Sequence, residues 1–122
     1  MATHNEIGMK GEVLALQYLE RKGYTIKEIN WRWGHYEIDI IAQLGNVLVI
    51  VEVKTRSNAY FGFPERSVHD AKKAFLARAA SEYKELHSLE MDTRFDIVAI
   101  VMKDKGDYQI EHFEDAFFPY DF

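Results

Sequence analysis

Two acidic residues and a lysine stand at corresponding ends of two neighbouring apolar segments of this sequence. The first segment, residues 37–42, carries Asp39, and the second, residues 47–54, ends on Glu52 and Lys54. Both segments have the composition of β-strands, and the Leu-Gly-Asn between them is typical of a tight turn. If the strands pair as a hairpin, we expect the tips of these three side chains to converge. Carboxylates bind hard divalent cations, and a neighbouring lysine stabilises a reacting phosphate or polarises a water.

A plainer interpretation makes Glu52 and Lys54 solvated residues at a strand end. Two observations favour a functional site instead. Asp39 lies between Ile38 and Ile40, where a carboxylate is costly to bury. Glu52 follows five consecutive apolar residues, as in a strand that is covered on both faces. We therefore take Asp39, Glu52 and Lys54 as candidate site residues.

A third acidic residue, Glu12, is predicted to face the same region from a helix. The periodicity predicts this helix from about Asn5 to Lys22, with Gly23 as its stop. Glu12 lies nearly opposite Lys10 and the rest of the polar face, on the side that turns inward. Two interpretations stay open. Glu12 either joins the strand carboxylates or forms a buried salt bridge or a helix-end contact.

The second predicted helix, residues 67–87, has a lysine inside its apolar stripe. Lys72 either extends its ammonium group to solvent, which is usual at such positions, or reaches the carboxylates or a bound phosphate. An irregular stretch, residues 55–64, separates this helix from the hairpin. It is either a substrate-binding flap or a connector packed by its own aromatic side chains.

Two tryptophans are predicted to lie near the hairpin. A short strand is expected over residues 24–29, followed by a loop over residues 30–35 that holds Trp31 and Trp33. Their rings are suited to stacking on bases, although packing in the core or a lid is the commoner role.

The predicted elements follow the order helix, strand, strand, strand, helix, strand, strand. The last two strands span residues 94–102 and 108–113, and Arg94 and Asp96 share a face, where a mutual salt bridge is their simplest role. This order predicts one α/β domain, residues 1–122, with a central mixed five-stranded sheet flanked by helices. The helix between the third and fourth strands allows a parallel crossover.

Composition narrows the classes of function. The chain contains no cysteine, which excludes disulfides and thiolate metal sites. No apolar run approaches the length of a membrane span, and the start of the chain does not have the pattern of a signal peptide, so a cytoplasmic location is the default expectation. The sequence has no Gly-rich phosphate loop, HExxH pattern or GxSxG elbow.

Charge is distributed unevenly along the chain. The net charge of −5 argues against strong nonspecific binding to nucleic acid, yet residues 54–78 carry a balance of +4 and residues 79–122 a balance of −7. We expect one basic face on an acidic body, although a solvated helix surface explains the same count equally well. The aromatic segment at residues 116–122 is expected to close the core or to meet a second subunit in a homodimer. The candidates for contact with a nucleic-acid backbone are Arg56, Arg66, Lys72 and Lys73.

A set of short motifs resembles a known family. The segment VEVKTR, residues 51–56, is the most specific of them. The other matching positions are Gly8, Gly11, Glu12, Asn30, residues 37–42, Gly62, Pro64, Lys72 and residues 94–96. Through them nearly the whole chain resembles the YraN-like family of uncharacterised bacterial proteins. That family is similar in fold to the PD-(D/E)XK nucleases, which include Holliday-junction resolvases and restriction endonucleases.

The resemblance implies a restriction-endonuclease-like core with a nuclease-like site. Asp39 would be the acidic residue of the second strand, and Glu52 and Lys54 the acidic and basic residues of the (D/E)XK motif. Glu12 would match the first-helix glutamate of resolvase-like members. The implied cofactor is Mg²⁺, with Mn²⁺ as a substitute, held by Asp39, Glu52 and the carbonyl of Val53.

Two positions depart from the nuclease pattern. Ile38 stands where the proline of the PD motif would be, and Tyr36 stands where glycine is expected, which bears on the shape of the substrate entrance. Two functions remain in competition. The first is a metal-dependent nuclease acting on nucleic acid, with branched DNA among the expected substrates. The second is a non-catalytic module that keeps the fold and binds nucleic acid or a protein partner.

Overall fold

The computed structural model describes residues 4–56 and 70–117. Within them the chain forms two α-helices, five strands and a short 3-10 helix, Asp104–Gly106, between the last two strands. The elements are α1 (His4–Arg21), β1 (Thr25–Trp33), β2 (Tyr36–Leu44), β3 (Val47–Arg56), α2 (Asp70–Leu86), β4 (Asp92–Met102) and β5 (Tyr108–Phe113). The predicted order of helices and strands is confirmed. None of the described helices combines the length and the apolar character that crossing a membrane requires.

The five strands form one mixed sheet in the order β1-β2-β3-β4-β5. The β3–β4 pair is parallel and the other three pairs are antiparallel. Parallel neighbours need a crossover connection, and α2 lies between β3 and β4 in the chain. The predicted α/β class, with a mixed five-stranded sheet between helices, is therefore confirmed.

The central strand β3 is covered on both faces. Leu48 and Ile50 pack in a cluster with the buried side chains of α2, whereas Val49 and Val51 pack in a second cluster with those of α1. All four are essentially inaccessible to solvent. Burial on both faces is the physical reason for the uninterrupted apolar run in this strand.

The predicted loop over residues 30–35 is wrong. Strand β1 continues to Trp33, and only Gly34 and His35 form the turn into β2. The alternation Trp-Arg-Trp is itself a strand pattern, and Gly34 adopts the positive φ of +63° that tight hairpin turns favour. Trp31 packs edge-on against Tyr83 of α2, with ring centroids 5.3 Å apart, so it belongs to the core.

Several predicted features fall partly or wholly outside the described residues. Thr55 and Arg56 belong to β3 and not to the irregular stretch predicted there, while the rest of that stretch and Arg66 lie outside the described part. The same is true of the aromatic segment beyond Phe117. Phe117 itself is buried against Phe95, with ring centroids 5.4 Å apart, and so helps to close the core.

Candidate active site at the fork between β2 and β3

Strands β2 and β3 separate at the candidate carboxylates. Their last paired residues are Ile40 and Val51, so Asp39 and Glu52 come directly after the end of the ladder. Beyond this point β2 stays paired to β1, and β3 stays paired to β4. We call this opening, formed by Asp39, Glu52 and Val53, the fork. Backbone groups that lose their strand partner need another one, and a side chain can supply it.

The carboxylate of Asp39 lies inside the fork. Its Oδ2 accepts a hydrogen bond from the backbone N–H of Val53 at 2.8 Å. The N–H and the C=O of a strand residue point to the same side, so the Val53 carbonyl also faces the fork. Ile38 and Ile41 pack in the α2 cluster, whereas Ile40 packs in the α1 cluster, so side-chain alternation along β2 shifts at Asp39. This irregularity directs the carboxylate between the strands.

The environment makes Asp39 a weaker acid than an ordinary aspartic acid side chain. Burial raises the pKa of Asp39 to about 7, and the negative charge of Glu52 acts in the same direction. The hydrogen bond from Val53 and the positive charge of Lys72 oppose the rise without cancelling it. The two carboxylates are therefore coupled electrostatically across the fork, and a cation placed between them would relieve their repulsion.

Glu52 is buried and held by a lysine from α2. It is 2% exposed, and its Oε2 accepts a hydrogen bond from the Nζ of Lys72 at 2.7 Å. The Nζ of Lys54 lies 4.0 Å from the same oxygen. The other oxygen, Oε1, is buried without a hydrogen-bond partner. Burial lowers the pKa of Lys54, although the negative charge of Glu52 partly offsets that effect.

Glu12 faces a cleft beneath α1 that Asp39 also borders. The cleft encloses about 500 Å³ and is lined by Ile7, Gly8, Met9, Glu12, Asp39, Val53 and Thr55. The Oε1 atom of Glu12 is buried without a partner. Burial and the charge of Glu37 raise the pKa of Glu12, while a hydrogen bond from the Asn30 side chain lowers it. The inward orientation predicted for Glu12 is thus the one observed.

A glycine allows α1 to approach the sheet at this point. A Cβ atom added to Gly11 would overlap the side chain of Thr55 on β3. The helix backbone therefore lies directly against the strand, next to Glu12. Gly11 is in this way a positioning residue for the cleft.

The fork divides the candidate residues between two sides. Asp39 and Glu12 border the cleft beneath α1, whereas Glu52 lies toward α2 with Lys54 and Lys72. In residues 4–56 and 70–117, no three acidic or histidine side chains are grouped closely enough to hold a metal ion by themselves. A metal site at the fork would therefore rest on two carboxylates supplemented by a backbone oxygen or water.

Comparison with known proteins identifies the family. Residues 11–100 match the family described as "Uncharacterised protein family UPF0102". The chain belongs to this family. It is 51% identical over 118 residues to a UPF0102 protein of Flavobacterium psychrophilum, and the matched region covers 97% of this chain and 98% of the relative. It is 47% identical over 119 residues to a UPF0102 protein of Bacteroides thetaiotaomicron, with 98% of both chains covered. The family expected from the motifs is confirmed, while the nuclease-like fold stays a prediction.

The basic candidates of this UPF0102 chain differ in their surroundings. Lys72 is paired with Glu52, and the Nζ of Lys73 lies 5.8 Å from the ring centroid of Phe117. Arg56 is exposed and donates from Nη1 to the carbonyl of Thr55 at 3.0 Å. Sequence reasoning offered a contact with the carboxylates as one of two roles for Lys72, and the structure shows that contact.

A second polar cluster surrounds Asp96 on β4. Arg94 binds this fully buried carboxylate through two hydrogen bonds of 2.9 and 2.8 Å, which confirms the predicted salt bridge. The Nε2 atom of His112 lies 2.7 Å from Asp96, and the hydroxyl of Tyr24 accepts from Arg94 at 2.6 Å. Burial raises the pKa of Asp96, but hydrogen bonds with His112 and Arg94 outweigh burial, so this pKa lies below its ordinary value.

Sequence reasoning did not include His112 or Tyr24 in a site. Tyr24 is 70 positions from Arg94, and His112 is 16 positions from Asp96, so no local spacing connects them. The cluster joins β4 to β5 and to the start of β1. It has every property of a structural network: a buried charge pair with its hydrogen bonds satisfied by side chains from other elements.

Proposed function

We propose that this UPF0102 protein is a metal-dependent, nuclease-like protein that acts on the phosphodiester backbone of nucleic acid. The observation that carries the proposal is the pair of coupled carboxylates, Asp39 and Glu52, at the fork. Burial raises the pKa of Asp39, and repulsion from the Glu52 carboxylate raises it further. A divalent cation between them would reverse that cost, because hard cations prefer carboxylate oxygens.

The donor atoms at the fork fit a divalent cation. Asp39 and Glu52 would hold it, and the Val53 carbonyl, which faces the fork, would be a further ligand. Glu52 Oε1 is buried with no hydrogen-bond partner, and so is Oε1 of Glu12 on the other side. A buried charged oxygen without a partner is costly, so these atoms are suited to receive a cation or an ordered water. Oxygen donors of this kind favour Mg²⁺ and Mn²⁺.

The remaining side chains would handle charge and orientation. A cation at the fork would polarise the phosphate and lower the pKa of an attacking water. Lys54, whose ammonium group lies 4.0 Å from Glu52, would stabilise the negative charge that develops on the phosphate oxygens. Glu12, facing the cleft, would orient water there. Four basic residues would contact the phosphates of the nucleic-acid backbone, which gives affinity without sequence recognition: Arg56, Arg66, Lys72 and Lys73.

A second candidate function is a non-catalytic module that binds nucleic acid. Two observations favour it. Lys72 already neutralises Glu52. The described residues also hold no group of three metal-binding side chains. A site in which a lysine takes the place of the metal ion can bind a nucleic-acid backbone without cleaving it. The two functions differ in turnover and not in affinity.

A cleavage panel separates the two functions. Duplex, branched, flapped and single-stranded DNA, together with RNA, would be incubated with the protein in Mg²⁺, Mn²⁺ or EDTA. Cleavage that requires the metal and disappears in Asp39→Asn supports the nuclease. Binding without cleavage on every substrate supports the second function, and the absence of both rejects the proposal as a whole.

A further inference from the structure

The Lys72–Glu52 ion pair lies inside the proposed metal site. Lys72 comes from α2, and its ammonium group donates to Glu52 Oε2 at 2.7 Å. The same carboxylate has Lys54 at 4.0 Å, so two positive charges surround one negative charge. A lysine that only contacts a nucleic-acid backbone does not need a buried carboxylate as its partner. The ion pair therefore indicates a further role for Lys72.

We propose that Lys72 is an internal counter-ion. Its ammonium group neutralises Glu52 while no divalent cation is bound, and it moves to a phosphate of the nucleic-acid backbone when that cation binds. This inference rests on the proposed function and adds a regulation to the same site. Lys72 thereby links loading of the metal to affinity for nucleic acid.

Electrostatics decides which group must move. A divalent cation on Glu52 would lie within roughly 4–6 Å of an ammonium group that stayed on the same carboxylate, where like charges repel strongly in a poorly hydrated site. The side chain of Lys72 is 37% exposed and that of Lys54 is 20% exposed. Lys72 therefore leaves at the lower cost of rearrangement, and its long flexible stem lets the ammonium group turn outward.

The departing lysine needs a new partner, and phosphate supplies one. Without nucleic acid the released ammonium group would return to water. With nucleic acid present it would replace a counter-ion on the backbone and so add one phosphate contact. The contribution of Lys72 to nucleic-acid affinity should therefore exist only when the metal is bound.

Metal affinity provides the first test. Isothermal titration with Mn²⁺ would compare the wild type with Lys72→Met in the absence of nucleic acid. Removal of the competing charge should tighten binding roughly five- to tenfold, within the usual range for coupled sites. The matched control is Lys84→Met, which removes the same charge from the same helix, at a position where the ammonium group donates to the Met91 carbonyl. Equal tightening in the control shows a nonspecific charge effect and overturns the inference.

Other results with Mn²⁺ are equally decisive. Unchanged binding in Lys72→Met means that Lys72 does not compete, and weaker binding means that it orients Glu52 for the metal; either overturns the inference and leaves the proposed function intact. If neither the wild type nor Lys72→Met binds Mn²⁺, the proposed function itself fails.

Salt dependence provides the second test. Binding of a short DNA duplex would be measured at several salt concentrations, in EDTA and in Mn²⁺, in a Lys54→Ala background that prevents cleavage. Lys72→Met should reduce the slope of log affinity against log salt by about one in Mn²⁺ and leave it unchanged in EDTA. An equal reduction in both conditions would show a fixed phosphate contact instead of a displaced counter-ion.

A measurement on the wild type covers the case in which Lys72→Met fails to fold. Lysine ammonium groups labelled with ¹⁵N give resolved NMR signals when they are held in an ion pair. The Lys72 signal, assigned with Lys72→Arg, should broaden or disappear on addition of Mg²⁺, while the signal of Lys84, which donates to the Met91 carbonyl, should persist. A Lys72 signal that is unaffected by saturating Mg²⁺ would rule out displacement.

Discussion

The backbone N–H of Val53 donates a hydrogen bond to Asp39 Oδ2 at 2.8 Å, at the point where β2 and β3 part. This bond ties the carboxylate of one strand to the backbone of the next. Since Val53 follows Glu52 directly, this bond brings the Asp39 carboxylate next to the residue that carries the second carboxylate. Their electrostatic coupling is therefore a built-in property of the fork.

The metal-free protein should lose stability as pH rises, because of Asp39. Its pKa is about 7 in the folded state and close to 4 in an unfolded chain. Between these values the folded state retains a proton that the unfolded state has released, so the free energy of unfolding falls as pH increases, by on the order of 2 kcal/mol. Asp39→Asn should remove this dependence and be more stable than the wild type at about pH 8.

Urea unfolding at about pH 5 and pH 8, in EDTA, measures the effect. Glu20→Gln is the control, because Glu20 is an exposed residue on α1 and its loss should leave the pH dependence of the wild type intact. A pH dependence in Asp39→Asn equal to that of the wild type would show that Asp39 is not the group responsible.

Metal binding and turnover should separate between the carboxylates and the lysine. Asp39→Asn and Glu52→Gln each remove a charged donor, so Mn²⁺ affinity should fall at least about tenfold and cleavage should disappear. Lys54→Ala should retain Mn²⁺ affinity and lose cleavage by roughly 10²–10³-fold, because its charge acts on the transition state. Titration calorimetry and a gel assay on the best substrate measure the two effects. Cleavage that survives in Glu52→Gln would exclude the fork as the catalytic centre.

Arg56 and Lys73 should contribute to nucleic-acid binding without sequence preference. Replacing both Arg56 and Lys73 with Ala should weaken binding of all short duplexes alike and lower the salt slope by about one to two. Fluorescence anisotropy at several salt concentrations measures it. The control pair, Lys10→Ala with Lys27→Ala, removes two exposed charges from α1 and β1. If both double variants behave alike, the positive stretch at residues 54–78 is ordinary solvated surface.

Local pattern accounts for most of the fold that the sequence predicted. A few neighbouring residues are enough to predict three of its features. These are the strand β3 from its uninterrupted apolar run, the turn at Gly45, and the end of α1 at Gly23, where φ is +93°. The predicted loop at residues 30–35 is wrong because the alternation of tryptophan with arginine continues the strand to Trp33. Pairing with β2 decided that case, and pairing is a contact between distant residues.

The candidate site was predictable in its residue types and not in its arrangement. Alternation placed Glu52 and Lys54 on one face, and the structure keeps them there. Alternation does not predict the orientation of Asp39. The pairing of β2 with β3 ends next to this residue, so its carboxylate lies between the strands and accepts a hydrogen bond from the Val53 N–H. The partnership of Glu52 with Lys72 depends on how α2 crosses the sheet, which no local pattern specifies.

Asp96 should be critical for stability. Asp96→Asn leaves the guanidinium group of Arg94, whose side chain is 16% exposed, without a charged partner of its own strand. Losing one member of a buried pair costs about 3 kcal/mol. Glu114→Gln is a matched control, because this carboxylate also contacts Arg94, at 3.2 Å, but is 61% exposed. Its removal should change the free energy of unfolding by less than about 0.5 kcal/mol. Urea unfolding compares them, and equal effects would contradict the structural role assigned to Asp96.

Gly11 offers a test of how α1 positions Glu12 at the cleft. A methyl group at Gly11 would overlap Thr55, so Gly11→Ala should displace the helix from β3 and lower the free energy of unfolding by about 1–3 kcal/mol. Gly8→Ala is the matched control, because Gly8 lies one turn earlier and the added methyl group would have no atom within 4 Å beyond the neighbouring backbone of its own helix. There the higher helix propensity of alanine should raise stability by about 0.5–1 kcal/mol. Combining Gly11→Ala with Thr55→Gly should recover part of the loss, since the colliding side chain is gone. Chemical denaturation of the wild type, Gly11→Ala, Thr55→Gly and the double variant gives the coupling between the two positions, and a coupling near zero would mean that α1 and β3 do not meet at this contact.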